Sequence, residues 1–156
     1  MTSAELARLD QLRPDARPWF EALIRAMNAR GWDPFIGQVL RTPAQQQQAI
    51  AAGTTSKHQV LSWHFLGRAV DFRRRLDDGT EDLTTGGDDA FWQALYQEAS
   101  KIVGMRSLAY HPNGTKMLLN GTLWDCGHTE WRLPFAELHE AVLAEAPELL
   151  DAPAVA

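Results

Sequence analysis

At 156 residues, with 45% hydrophobic and 22% charged positions, the chain has the size and composition of one globular domain able to bury a core. Its net charge of −5 and pI near 5.5 argue against grip on a phosphate backbone, so no nucleic-acid partner is expected. The single cysteine, Cys126, excludes an intrachain disulfide and a Cys-rich zinc module, and no apolar run approaches membrane-spanning length, so membrane insertion is not expected.

The opening stretch MTSAELARLDQLRPD has no apolar run behind a basic start, so synthesis in the cytoplasm without a signal peptide is expected. The first strong helix is expected over 15–30, where Trp19, Phe20, Leu23, Ile24 and Met27 share one face and Gly31 can end it. A short strand over 35–40 leads to Arg41. Thr42-Pro43-Ala44-Gln45 is then a capping box with proline in the first turn, opening a helix that ends near Gly53. Residues 67–73 read as a second strand, and 77–88 as a polar loop. The run Arg73-Arg74-Arg75 is followed closely by Asp77, Asp78, Glu81 and Asp82, which suggests a solvated loop. Asp88 or Asp89 caps a third helix with Phe91, Leu95, Ala99 and Ile102 inward and Gly104 as its stop. Short strands are expected over 107–110, 116–119 and 122–124, with hairpin turns at Asn113-Gly114 and Asn120-Gly121. A further strand covers 127–133, and Pro134 opens a last helix carrying Phe135, Leu138 and Val142. Hairpins late in the chain and no regular βαβ spacing predict an α+β fold, a small, mostly antiparallel sheet flanked by helices. A single domain over 1–146 and a frayed tail from Pro147 are expected.

Two segments carry chemistry: Ser62-Trp-His64-Phe-Leu-Gly67-Arg-Ala69-Val-Asp71 and Asp125-Cys-Gly-His128-Thr-Glu130-Trp131. On a strand of period two, Gly67, Ala69 and Asp71 share a face stripped of bulk, opposite Val70 and Phe72. If the two segments are neighbours, His64, Asp71 and His128 can converge as a three-ligand zinc site with one position open to water, the catalytic arrangement. Asp125, three residues before His128, would stand close enough to take a proton from that water. A lone histidine beside a strand is ordinarily a surface or hydrogen-bonded residue, and a strand aspartate usually belongs to a turn or ion pair. The joint pattern changes the odds, since the first motif alone arises by chance about once in a million start positions.

Ser62-x-His64-x-x-Gly67-x-Ala69-x-Asp71 followed by Asp125-x-x-His128-x-Glu130 resembles the zinc D-Ala-D-Ala carboxypeptidase and L-Ala-D-Glu endopeptidase family of cell-wall hydrolases and phage endolysins, whose fold the hedgehog signalling domain shares. The resemblance spans roughly 31–133 and includes Arg41 with Gln46 five residues on. It implies one Zn2+ per chain on His64, Asp71 and His128, Asp125 as general base, and Arg41 holding substrate or developing negative charge. It also implies a hydrolase of the peptidoglycan stem peptide. Asp rather than Glu at the base position points toward the L-Ala-D-Glu endopeptidase, working on cell wall after release through a separate membrane pore, and expected to be a monomer. The alternatives are a D-Ala-D-Ala carboxypeptidase or dipeptidase, a zinc-containing binding module without turnover, and a structural role without metal. Ser62 and Glu130 are assigned to orienting imidazole N–H groups, with direct catalysis open to Glu130, and Trp63 and Trp124 to the cleft wall. The chain departs from the family pattern in the longer region 104–123 with its His111, and in Gly127 where proline is common. Cys126 is read as a free, partly buried thiol, and His58, His111 and His139 lie outside any motif.

Overall fold

Residues 1–53, 61–82, 89–119, 122–123 and 125–150 are described by the computed structural model of the chain. Helix α1, Ser3–Leu9, opens on a capping box: the Thr2 hydroxyl accepts the Glu5 N–H at 3.3 Å, and the Glu5 carboxylate accepts the Thr2 N–H at 2.8 Å. This helix is absent from the sequence expectation, although Thr2-x-x-Glu5 is a legible signal for it. The Glu5 side chain is buried; it also accepts the Ile36 N–H at 2.9 Å and pairs with Arg75, which fastens α1 to the sheet. Burial alone would raise its pKa, but Arg75 and the backbone donors lower it to about 2.

Helix α2, Arg17–Ala29, buries Phe20, Leu23, Ile24 and Met27 as expected. Each such side chain contributes about 2 kcal/mol by burial, more than the propensity differences among non-proline residues, so packing sets the helix's orientation. Trp19 departs from that face: it is 43% exposed and stacks on Trp131 with ring centroids 6.1 Å apart. The strand expected over 35–40 pairs regularly only as β1, Phe35–Ile36. Beyond it Gly37 donates to Asp71 and Asp71 donates to Gln38, both at 2.9 Å, so two residues face one and the ladder bends. Helix α3, Pro43–Ala51, starts on the expected Thr42–Gln45 box.

Strand β2, Ala69–Arg73, antiparallel to β1, has Val70 and Phe72 in the main core. Helix α4, Asp89–Ser100, packs Phe91, Leu95 and Ala99 into the same core, and residues 83–88, including the expected Asp88 cap, lie outside the described residues. The next strand, β3, is Met105–Ser107, earlier than the expected 107–110. Gly104, with φ of +80°, ends the α4 connection there and releases the chain into the sheet. The expected turn at Asn113-Gly114 is formed between Tyr110 and Lys116, which bridge. Strands β4, Leu118–Leu119, and β5, Thr122–Leu123, pair antiparallel, and the Asn120-Gly121 turn between them lies outside the described residues.

Strand β6, His128–Trp131, completes a four-stranded sheet in the order β1-β2-β6-β3, all neighbours antiparallel. This is the expected α+β class. Helix α5, Leu138–Glu145, begins four residues later than Pro134 suggested, leaving Phe135 outside it. The Glu140 carboxylate accepts the Ala136 and Glu137 N–H groups at 3.2 and 3.3 Å, and this local cap sets the start. At the start of the tail, residues Pro147–Leu149 form a 3-10 turn, and Leu149 and Leu150 pack on a second apolar cluster around Trp63, Leu66 and Ala69; the rest of the tail, 151–156, lies outside the described residues. The Arg73-Arg74-Arg75 run is not a solvated loop either. Arg74 pairs with Asp82 at 2.7 Å, and Arg75 joins Glu5 and Asp33. No helix among the described residues is long and apolar enough to cross a membrane.

One buried cation ties the layers together. Arg68, 1% exposed, pairs with Glu145 of α5 and with Asp15 at 2.9 Å, donates to the Leu133 carbonyl at 2.8 Å, and lies over the Trp131 and Phe135 rings. Glu145→Ala leaves this charge undercompensated and is expected to lower unfolding free energy by about 3 kcal/mol in denaturant titration. For Glu5, the stabilisation is complete above the unfolded carboxyl's ordinary value and is lost as pH falls from about 4.5 toward about 2. Glu5→Gln should therefore flatten the acid limb of stability in that window.

Candidate metal centre

Three segments deliver one constellation. Ser62 caps a 3-10 turn, Trp63–Leu66, by accepting the His64 N–H at 3.2 Å; Gly67, left-handed at φ +63°, ends it. That turn aims His64 at the end of β2. Gly67 is required twice, because a Cβ there would also stand 2.8 Å from the Gln11 carbonyl oxygen. On the sheet, Asp71 is the direct cross-strand partner of His128, so the two side chains emerge side by side.

The ligating atoms form a tight triangle. His64 Nε2 lies 3.0 Å from Asp71 Oδ1 and 3.2 Å from His128 Nδ1, and the latter lies 3.3 Å from Asp71 Oδ1. Bonds of about 2.0–2.1 Å to a tetrahedral ion give donor–donor edges of about 3.3 Å, so this triangle fits one face of such a site. Each imidazole is held through its other nitrogen: His64 Nδ1–H donates to the Val39 carbonyl at 2.7 Å, and His128 Nε2–H to Glu130 Oε2 at 2.9 Å. Both remaining lone pairs therefore point inward at a carboxylate and at each other. Such an arrangement calls for a cation. Among the described residues, His64, Asp71 and His128 are the group able to hold a metal ion.

The electrostatics point the same way. Burial would lower the His128 pKa, yet hydrogen bonds to Asp71 and Glu130, with the Asp125 charge, push it up to about 10. Burial would raise Asp71, but the two imidazoles hold it well below the usual carboxylate range. Asp125 behaves oppositely: burial, reinforced by the Asp71 charge, raises it against the pull of His128, His64 and Arg41. Asp125 is also the one non-glycine residue at positive φ, +47°, among the described residues.

A cleft of about 760 Å³ opens over the triangle and is lined by Ser62, His64, Asp71, Asp125, His128 and Arg41, among others. Arg41 Nη2 stands 3.5 Å from Asp71 Oδ2, while its Nε and Nη1 donate at 2.7 Å to Gln38 and Gln46. Gln46, matched with Arg41 through the family resemblance, thus meets it in the fold. Gln38 carries no sequence signal, and neither does the Val39 carbonyl, since any residue there would supply it. Glu130 is buried behind His128, held by Arg132 at 2.8 Å and off the cleft wall. Ser62 serves the backbone of His64 rather than its imidazole, because the Val39 carbonyl already takes that proton. Trp63 is buried in the second cluster rather than lining the cleft, since the turn that aims His64 inward sends Trp63 to the opposite side. Cys126 is fully buried in the main core. His111 lies in the exposed 111–115 turn and His139 on the exposed side of α5, whereas His58 and Trp124 are outside the described residues.

Metal titration against a chromophoric chelator should give one divalent ion per chain. His64→Ala should abolish binding, and Glu130→Gln, which weakens the acceptor behind His128, should reduce affinity about 10–100-fold.

No family model matches the chain, and no curated protein matches it by sequence. Solved structures do match. The Serratia marcescens L-Ala D-Glu endopeptidase ChiX superposes with TM-score 0.56 at 18% identity, over 84% of this chain and 88% of that one. VanYB in complex with D-alanine-D-alanine gives 0.52 at 18% identity, over 91% and 83%. The LdcB LD-carboxypeptidase gives 0.54 at 15% identity, over 90% and 68%. A further VanY structure of similar likeness, TM-score 0.51 at 18% identity over 89% and 83%, is in complex with Zn(II). The chain has the fold of these peptidoglycan peptidases.

Proposed function

We propose that the chain is a zinc peptidase of the cell-wall stem peptide, acting as an L-Ala-D-Glu endopeptidase of endolysin type. The observation that carries this reading is the triangle of His64 Nε2, Asp71 Oδ1 and His128 Nδ1, with edges of 3.0–3.3 Å, at the base of a cleft that also holds Asp125 and Arg41. Zinc on those three atoms would supply Lewis-acid polarisation of the scissile carbonyl and an acidified water. The mixed nitrogen and oxygen donor set suits that ion.

The remaining work falls to side chains of the chain itself. Asp125, with its pKa raised by burial, accepts the proton of the attacking water and returns it to the leaving amine. Arg41 is locked by Gln38 and Gln46, so its planar fork is already oriented toward a substrate carboxylate or the developing oxyanion. The Val39 carbonyl and Glu130 keep both imidazoles in one tautomer. A monomer is the working unit in this reading. The site of action in this reading is the cell wall, reached through a separate membrane pore.

The endopeptidase reading draws on aspartate at the base position and on the match to ChiX. The match to VanYB with D-alanine-D-alanine, together with Arg41 as a fork for a terminal carboxylate, favours a D-Ala-D-Ala carboxypeptidase as the second reading. A base within the cleft weighs against a binding module without turnover.

Mass spectrometry of cell wall digested by the zinc-loaded protein separates the two enzymes. New N-terminal D-Glu is expected, whereas released D-Ala would favour the second reading. Asp125→Ala should keep its zinc and lose about 10²–10⁴-fold in kcat. Undiminished turnover in that variant would remove Asp125 from the chemistry.

A further inference from the structure

Three arginines line the cleft, and the mechanism employs only Arg41. Arg8, on α1, donates from Nη1 to the Ile36 carbonyl at 2.7 Å, and its guanidinium carbon lies 5.6 Å from the Phe35 ring centroid. Among the described residues no carboxylate pairs with it. Arg73 closes β2, is 30% exposed, and has Glu81 as its carboxylate among the described residues, at 3.9 Å, the outer limit of an ion pair. Glu81 lines the cleft too, and the Arg8 guanidinium faces the same space with no carboxylate paired to it among the described residues.

Sheet register brings these cations together. Phe35 is the cross-strand partner of Arg73, and Arg8 lies over Phe35. Arg73 is two residues beyond Asp71 on β2, hence on the same face and about 7 Å along the strand. Stacking on Phe35 and the bond to Ile36 hold the Arg8 plane in place while leaving donors free, an arrangement suited to a carboxylate.

We propose that Arg8 and Arg73 form a second anion subsite of the cleft, which receives a substrate carboxylate on the residue next to the scissile bond. The proposal rests on the peptidase reading for its substrate class: the carboxylate is the one left free on the glutamate of a stem peptide. Arg41 serves the reacting end, and the Arg8–Arg73 pair sets which peptide fits along the cleft.

The test uses the zinc-loaded full chain and two matched peptides containing L-Ala-D-Glu, one with the glutamate carboxylate free and one with it as the amide. KM is read where turnover occurs, and Kd by calorimetry on the same samples in every case. The wild type is expected to favour the free-carboxylate peptide at least tenfold. Arg8→Gln and Arg73→Gln should each cut that preference below threefold, and Arg8→Lys should retain part of it. Loss of the Ile36 bond alone would alter stability without altering the ratio between the peptides. If Arg8→Gln fails to fold, Arg73→Gln, which removes no backbone hydrogen bond, carries the test. A wild type without preference, or a folded Arg8→Gln or Arg73→Gln that keeps the full preference, overturns the subsite. Absence of cleavage would sink the peptidase reading, and the affinity ratio would still decide the subsite.

Discussion

The pairing of Asp71 with His128 across β2 and β6 is the constraint on which the rest of the molecule depends. Side chains alternate along a strand, so a slip of one residue would set Gly127 or Thr129 opposite Asp71 and turn His128 away from the cleft. Burial holds the register: Val70 and Phe72 enter the main core from one face of β2, leaving Ala69 and Asp71 for the other. Gly127 lets the strands close at the critical point. Its carbonyl accepts the Phe72 N–H at 2.8 Å, and a Cβ at that position would fall 2.1 Å from the Phe72 carbonyl oxygen. The glycine that departs from the family pattern is therefore a requirement of this chain's own packing.

Around that pairing the structure builds a second layer in which each ligand has one duty. A neutral carbonyl, at Val39, orients His64, whereas a carboxylate, at Glu130, orients His128 and raises its basicity. Glu130 occupies the place beside Ala69, its cross-strand partner, where a larger side chain would compete for space. The irregular pairing after β1 has a similar purpose. By setting Gly37 and Gln38 opposite Asp71 it turns the chain so that Val39 reaches His64 and Gln38 reaches Arg41.

Two buried ionic clusters lie away from the metal triangle and fasten helices to the sheet. Glu5 and Arg75 fix α1 against β1, and α1 is the helix that carries Arg8 to the cleft wall. Arg68, beside the left-handed Gly67, holds α5 and the segment before α2 against the start of β2. Apolar replacements of similar volume could match the stability of such clusters. What the charged groups add is a set of specific partners, which locates each helix to within a hydrogen bond.

The sequence by itself determined the α+β class, the buried faces of α2 and α4, the capped start of α3 and the three side chains able to share an ion. These signals are local or periodic: they lie in spacing, capping chemistry and turn residues, which a chain carries before it folds. Helix α1 was legible in the same way, through Thr2 and Glu5. Tertiary structure alone decided the rest. Which strand neighbours which, where α5 starts, that Trp63 packs inward, that Ser62 serves a backbone amide, and that Gln38, Val39, Arg8 and Arg73 border the site all follow from long-range contacts. A backbone carbonyl has no residue type, and an arginine's partner depends on which segment packs beside it. Such roles exist only once the sheet has closed.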